Sequence, residues 1–184
     1  MLRERRSIPA EDVIGRSLAI IEKLVEQFQF INANCIASYS AFDNEVDTGA
    51  VHTLLLGSPK ILCLPRVERE DGKIIWHKVY KGSEMTVSPY GILEPAGSGA
   101  DTQVKLSEID LFLVPGVCFD LKGYRIGYGK GYYDKALASA RDGKAFRIGL
   151  AYDFQIVEQL PFDSWDEKVD MVITEERIIN FQSR

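Results

Sequence analysis

Ile14, Leu18, Ile21, Val25 and Phe28 recur at alternating steps of four and three, which predicts an amphipathic helix with that stripe facing a core. Pro9 suits an early helical position, and Glu11 and Asp12 suit the first turn, so the helix is expected to start near Pro9. Short apolar runs between turn residues follow. Residues 34–39 read as a strand, Thr48 as the cap of a helix with Val51, Leu54 and Leu55 on its apolar side, and 61–64 as a strand closed by Pro65. Strand, helix, strand at this spacing predicts a right-handed parallel unit. Asp71-Gly72 is a hairpin turn leading into a strand over 74–80, and 96–103 is a flexible turn. Residues 111–114 form a buried strand stopped by Pro115-Gly116. Beyond it the pattern predicts a helix from about Lys130 to Arg141, stopped by Gly143, and a buried strand over 146–151. A short helix over 154–160, ended by Pro161, and a last strand over 169–174 complete the chain. The expectation is a single α/β domain over 1–184. A largely parallel central sheet is flanked by helices, with the ligand crevice at the strand C-termini.

Composition narrows the partners. With 184 residues, 46% hydrophobic and 27% charged, the chain has the make-up of one soluble domain with a substantial core. A net charge of −5 argues against nucleic acid as the main partner. Three cysteines without a C-x-x-C pair suggest a reducing compartment, with Cys35 and Cys63 in the core and Cys118 near a pocket but without a partner base. His52 and His77 are isolated, so a histidine metal site has little support. No apolar run is long enough to span a membrane, and Arg3, Arg5 and Arg6 precede no signal-peptide core. The expectation is a cytoplasmic protein, monomeric or weakly homo-oligomeric, whose basic N-terminal residues are solvated.

Residues 109–134 carry the chemistry. After the strand and a loop, Gly127-Tyr128-Gly129-Lys130-Gly131 leads into a helix. Small residues let backbone N–H groups approach an anion, and the helix start adds partial positive charge. Arg125 and Lys130 add two cations, so the stretch reads as a polyphosphate cradle. It matches neither the Walker A loop nor the dinucleotide G-x-G-x-x-G spacing. A glycine-rich surface turn is the bland alternative.

The wider strings VPGVCFD (114–120) and KGYRIGYGKGYYDKAL (122–137) resemble the signature of the 5-formyltetrahydrofolate cyclo-ligase family. Similar strings stand where that family keeps them: NEVDT (44–48), YGILEP (90–95), RIGLAYDFQIVEQLP (147–161) and KVDMVITE (168–175).

The resemblance implies an ATP- and magnesium-dependent cyclisation of 5-formyltetrahydrofolate to 5,10-methenyltetrahydrofolate through phosphorylation of the formyl oxygen. It assigns Gly127, Tyr128, Gly129, Lys130, Gly131, Arg125, Tyr132 and Tyr133 to ATP and to catalysis, and Glu45, Ser40 and Tyr90 to the folate. Asp134 and Asp170 match the acidic metal positions, with a helix-start acid and a strand-edge turn residue as the alternatives. Tyr90 is either the aromatic beside the pterin or a core tyrosine. Tyr132 and Tyr133 either line the formyl group or pack. The family's N-terminal phosphate-binding lysine and arginine align before Met1, so either the chain begins late or Arg3 and Arg5 substitute. Arg3 and Arg6 are the basic residues carried forward as ATP candidates. A binding protein without turnover and an ATP-dependent enzyme for another small amide or formyl compound remain open.

Overall fold

The computed structural model describes residues 1–68, 72–96, 100–140 and 145–181. Among these residues five helices occur in chain order: α1 (Leu2–Ser7), α2 (Ala10–Val25), α3 (Phe28–Asn32), α4 (Gly49–Leu56) and α5 (Tyr132–Ser139). The strands begin with β1 (Cys35–Ala37), β2 (Ile61–Val67), β3 (Ile74–Val79), β4 (Met85–Val87), β5 (Leu93–Pro95) and β6 (Gln103–Val104). They continue with β7 (Leu111–Val114), β8 (Cys118–Asp120), β9 (Arg125–Ile126), β10 (Phe146–Leu150), β11 (Ile156–Val157), β12 (Met171–Ile173) and β13 (Ile178–Asn180).

The main sheet has eight strands in the order β13-β12-β10-β7-β1-β2-β3-β6. Its centre, β12 through β2, is parallel, and β13, β3 and β6 join antiparallel at the edges. Strands covered on both faces read as unbroken apolar runs, and β7 is buried at every position. Period-two alternation then divides that run between two cores. Leu111 and Leu113 join Ile20, Leu24, Val51 and Leu55 on the side of α2 and α4. Phe112 and Val114 join Trp76, Phe119 and Leu137 on the other side. Each such side chain contributes about 1.5–3 kcal/mol relative to exposure. A three-stranded sheet, β11-β8-β9, and the β4-β5 ribbon complete the fold. Among the described residues no helix is long and apolar enough to cross a membrane.

Several local expectations are corrected. The buried stripe of α2 is Ser17, Ile20, Ile21 and Leu24, whereas Ile14, Leu18 and Phe28 are exposed. Ser17 sets this phase: its hydroxyl accepts the Asp47 N–H at 2.9 Å and meets the Tyr152 hydroxyl at 3.5 Å, so the helix turns that polar position inward. Pro65 does not end β2, which continues to Val67. β1 pairs with β2 only as far as Cys63, and beyond it the strand has a free side where proline is tolerated. Thr48 stands at the N-cap of α4, but its hydroxyl donates to the Tyr39 carbonyl at 2.6 Å, and Asp47 Oδ1 accepts the Gly49 N–H instead. Leu54 is exposed.

Residues 154–160 do not form a helix. A 3₁₀ turn at Asp153–Gln155 leads into β11, because the buried Gln155 amide holds the segment to the chain beside β8. Its Nε2 donates to the Gly116 and Val117 carbonyls and its Oε1 accepts the Tyr152 N–H. Residues 100–104 form a 3₁₀ turn and β6, not a flexible turn. β13 follows the predicted last strand, and α1 precedes the predicted first helix. Gly97, Ser98, Gly99, Asp71, Arg141 and Gly143 lie outside the described residues.

Candidate active site

A cavity of about 950 Å³ opens at the C-terminal ends of the central strands. That size suits a drug-sized ligand or larger. Tyr39 and Ser40 follow β1, Pro115 and Gly116 follow β7, and Pro65 and Val67 end β2; all line it. Ile74, Ile92 and Tyr90 extend this mainly apolar wall. Tyr90 is 54% exposed, which removes the core-tyrosine reading. The phenol of Tyr132, hydrogen-bonded to Tyr90, is raised above its ordinary value, so the two rings join this wall to the start of α5.

Glu45 supplies the buried charge on the same side, at 6% exposure. Burial raises its carboxyl from 4.5 to about 7, against the opposing pull of Arg5 and a hydrogen bond from the Phe42 N–H. A carboxyl raised by folding stabilises the fold fully below 4.5 and loses that contribution as pH rises through about 7.

Residues 127–131 form the opposite rim. Gly129 at φ 82 and Gly131 at φ 64 occupy left-handed backbone, which a side chain would disfavour, and Gly131 is the N-cap of α5. The helix thus begins two residues later than predicted, leaving Lys130 in the loop, exposed and facing the cavity. Arg125 is buried under the loop and donates from Nη2 to Asp134 Oδ1 at 2.9 Å. Burial lowers the Arg125 pKa, while Asp134 and Asp166 favour its charge. Its guanidinium lies 5.6 Å from the centre of the Tyr133 ring. Arg125 Nε and the Tyr133 hydroxyl are buried without a partner among the described residues. Orphaned polar atoms in a cavity wall are an unusual cost, and a polar ligand would satisfy them.

The N-terminal arginines part company. Arg3 is exposed and does not line the cavity. Arg6 does line it, and its Nε donates to Asp43 Oδ1 at 2.7 Å. Arg5, expected in solvent, is 1% exposed, because Asp43, Gly116 and Tyr128 satisfy its donors.

The acids are also rearranged. Asp134 lines the cavity and is engaged with Arg125 rather than with the helix start. Asp170 does not line it. Its Oδ2 accepts the Arg147 N–H at 2.8 Å where β10 and β12 begin, the end of the sheet opposite the cavity. Asp166 lines the cavity instead, with Oδ2 accepting the Asp163 N–H at 2.7 Å. Asp166 stands four residues upstream in Asp166-Glu167-Lys168-Val169-Asp170. Trp165, 65% exposed at the rim, was also missed. Cys118 is buried and does not line the cavity, and neither histidine does. Among the described residues no group of three or more His, Cys, Asp or Glu is placed to hold a metal.

The sequence and the fold recur in known proteins. A 5-formyltetrahydrofolate cyclo-ligase from Mus musculus is 29% identical over 183 residues, covering 95% of this chain and 90% of its own. One from Haemophilus influenzae is 34% identical over 144 residues, covering 78% and 75%. The NMR structure of Aquifex aeolicus 5,10-methenyltetrahydrofolate synthetase superposes with a TM-score of 0.84 at 34% identity, covering 100% of this chain and 90% of that one. The synthetase structure from Mycoplasma pneumoniae gives 0.74 at 27% identity, covering 95% and 93%. With residues 1–175 matching its sequence profile as well, the chain belongs to the 5-formyltetrahydrofolate cyclo-ligase family.

Proposed function

We propose that the cavity binds 5-formyltetrahydrofolate and ATP side by side and converts them to 5,10-methenyltetrahydrofolate, ADP and phosphate. The observation that carries this reading is that one cavity joins the Tyr90–Glu45 wall to the glycine loop with Lys130 and Arg125. The pterin lies against Tyr90 and Tyr132, Glu45 accepts its N–H groups, and Ser40 adds a hydroxyl at the edge. The polyphosphate lies on 127–131.

An amide-like formyl oxygen leaves poorly, so ring closure needs that oxygen activated. It attacks the γ-phosphorus, the bond to ADP breaks, and an O-phosphorylated formyl group results. The neighbouring amine then attacks the formyl carbon, phosphate leaves with the oxygen, and the amine proton is lost. The substrate is its own nucleophile, so the protein's share is positioning and charge neutralisation. Lys130 and Arg125 stabilise charge that moves from the γ- to the β-phosphate. Burial holds the Tyr133 phenol above its ordinary value, so it stays protonated and able to donate to the reacting oxygen.

Magnesium fits the acids present: it takes one or two carboxylates together with phosphate oxygens and water. Asp134 and Asp166 would hold it, since among the described residues each engages a single oxygen, with Arg125 and with the Asp163 N–H. The ion, when bound, neutralises the phosphates. We place the reaction in the cytoplasm, which suits three free thiols, although a relative from Arabidopsis thaliana is described as mitochondrial.

The near-ultraviolet absorbance of the methenyl product should appear on mixing protein, ATP, magnesium and 5-formyltetrahydrofolate; binding without that signal would reject turnover. A pH series tests Glu45. Protonation below about 7 removes its charged acceptor, so kcat/KM for the folate should rise with pH through about 7 and level off above it. Glu45→Gln should be low and lack that step. A Glu45→Gln profile with the wild-type midpoint would remove Glu45 from folate recognition.

A further inference from the structure

We propose that Arg5 is a positioning residue that clamps the 41–45 loop to the glycine loop, so that Glu45 and the phosphate cradle keep a fixed separation. The inference rests on the two-substrate reading of the cavity. Arg5 sits in a six-residue helix near the chain start, yet its side chain is 1% exposed. A buried guanidinium is costly unless its donors are met. Here they meet three separate segments. Nε donates to the Asp43 carbonyl at 3.0 Å, Nη1 to the Gly116 carbonyl at 3.1 Å, and Nη2 to the Tyr128 hydroxyl. Asp43 Oδ2 lies 3.7 Å from Nη2 and Glu45 Oε1 4.0 Å from Nη1.

The contact is reciprocal. The Tyr128 hydroxyl donates to Asp43 Oδ2 at 2.7 Å, and Asn44 Nδ2 donates to the Arg5 and Ile8 carbonyls, each at 3.1 Å. Asp43 and Asn44 stand at φ 53 and 57, a backbone that needs outside contacts to persist. With its fork occupied by protein acceptors, Arg5 is a brace and not a phosphate ligand. A lysine keeps the charge but cannot reach three acceptors in fixed directions.

Three variants test this: Arg5→Met, Arg5→Lys and Tyr128→Phe, each checked for folding by thermal melting. Arg5→Met should raise the KM of both substrates by roughly tenfold to a hundredfold, because both rims lose their mutual register. It should also shift the folate pH profile. The charged and titratable groups facing Glu45 are Arg5, Asp43, Tyr39, Tyr128 and Tyr133, and Arg5 is the cation that favours its ionised form. Its loss should move the midpoint above about 7. Arg5→Lys should hold the midpoint while raising both KM values less. Tyr128→Phe keeps Arg5, so it should raise the ATP KM with the midpoint in place, and it carries the test if Arg5→Met does not fold.

A folded Arg5→Met with only the ATP KM raised would make Arg5 a phosphate ligand and overturn the proposal. So would a Tyr128→Phe with the wild-type ATP KM. If the wild-type protein forms no product, the functional reading fails separately. Fluorescence titration of ATP alone against wild type and Arg5→Lys then reads the clamp, and equal affinities would overturn it.

Discussion

Lys130→Ala is expected to lower turnover by about one to three orders of magnitude while folate binding changes by less than about twofold. The reason is the place of the side chain. Lys130 is exposed in the cradle, faces the cavity, and makes no ion pair among the described residues. Its charge is therefore available to a ligand, and a charge-assisted contact that strengthens in the transition state contributes roughly 2–4 kcal/mol. Because it is exposed, the melting curve should superimpose on that of wild type. That separates Lys130 from Arg125, whose removal would also strand Asp134 beside an empty buried site. Steady-state rates with ATP varied, together with calorimetric titration of the folate, make the comparison. Unchanged turnover and ATP KM in a folded Lys130→Ala would remove the lysine from phosphoryl transfer.

The parts of this molecule legible in its sequence are those with a local physical cause. The run 111–114 is apolar at successive positions because a central parallel strand is covered on both faces, and 146–150 follows it with Arg147 as its one buried charge. The glycine loop was legible for the same kind of reason, since Gly129 and Gly131 need backbone that other residues avoid. What could not be read depended on partners distant in the chain. Ser17 turns α2 inward because of Asp47 and Tyr152, and no helical period announces that. Gln155 converts a helical pattern into a 3₁₀ turn and a strand through carbonyls at Gly116 and Val117. Arg5 looked like any basic terminal residue until its acceptors came into view.

The acids of the site follow the same logic and carry the last expected result. Asp166 and Asp170 are near neighbours in sequence, but the strand of the latter begins at the far end of the sheet. Asp134→Asn should therefore behave as a functional change and Asp170→Asn as a structural one. Asparagine at 134 keeps an acceptor for Arg125 but not a charge, so stability should fall by about 1–3 kcal/mol, with a lower maximal rate reached only at higher free magnesium. Asp166→Asn should shift the magnesium dependence in the same direction, because both carboxylates line the cavity beside Arg125. If they serve one ion, the double variant loses less than the sum of the singles, as groups acting as a unit are not independent. Asp170→Asn loses a charged acceptor for the Arg147 N–H, so its melting temperature should drop while its magnesium curve stays that of wild type. Rate against free magnesium at saturating ATP decides among these. Superimposable curves for wild type, Asp134→Asn and Asp166→Asn would leave both acids as partners of Arg125 alone, and a shifted curve for Asp170→Asn would return the metal to the residue the sequence first suggested.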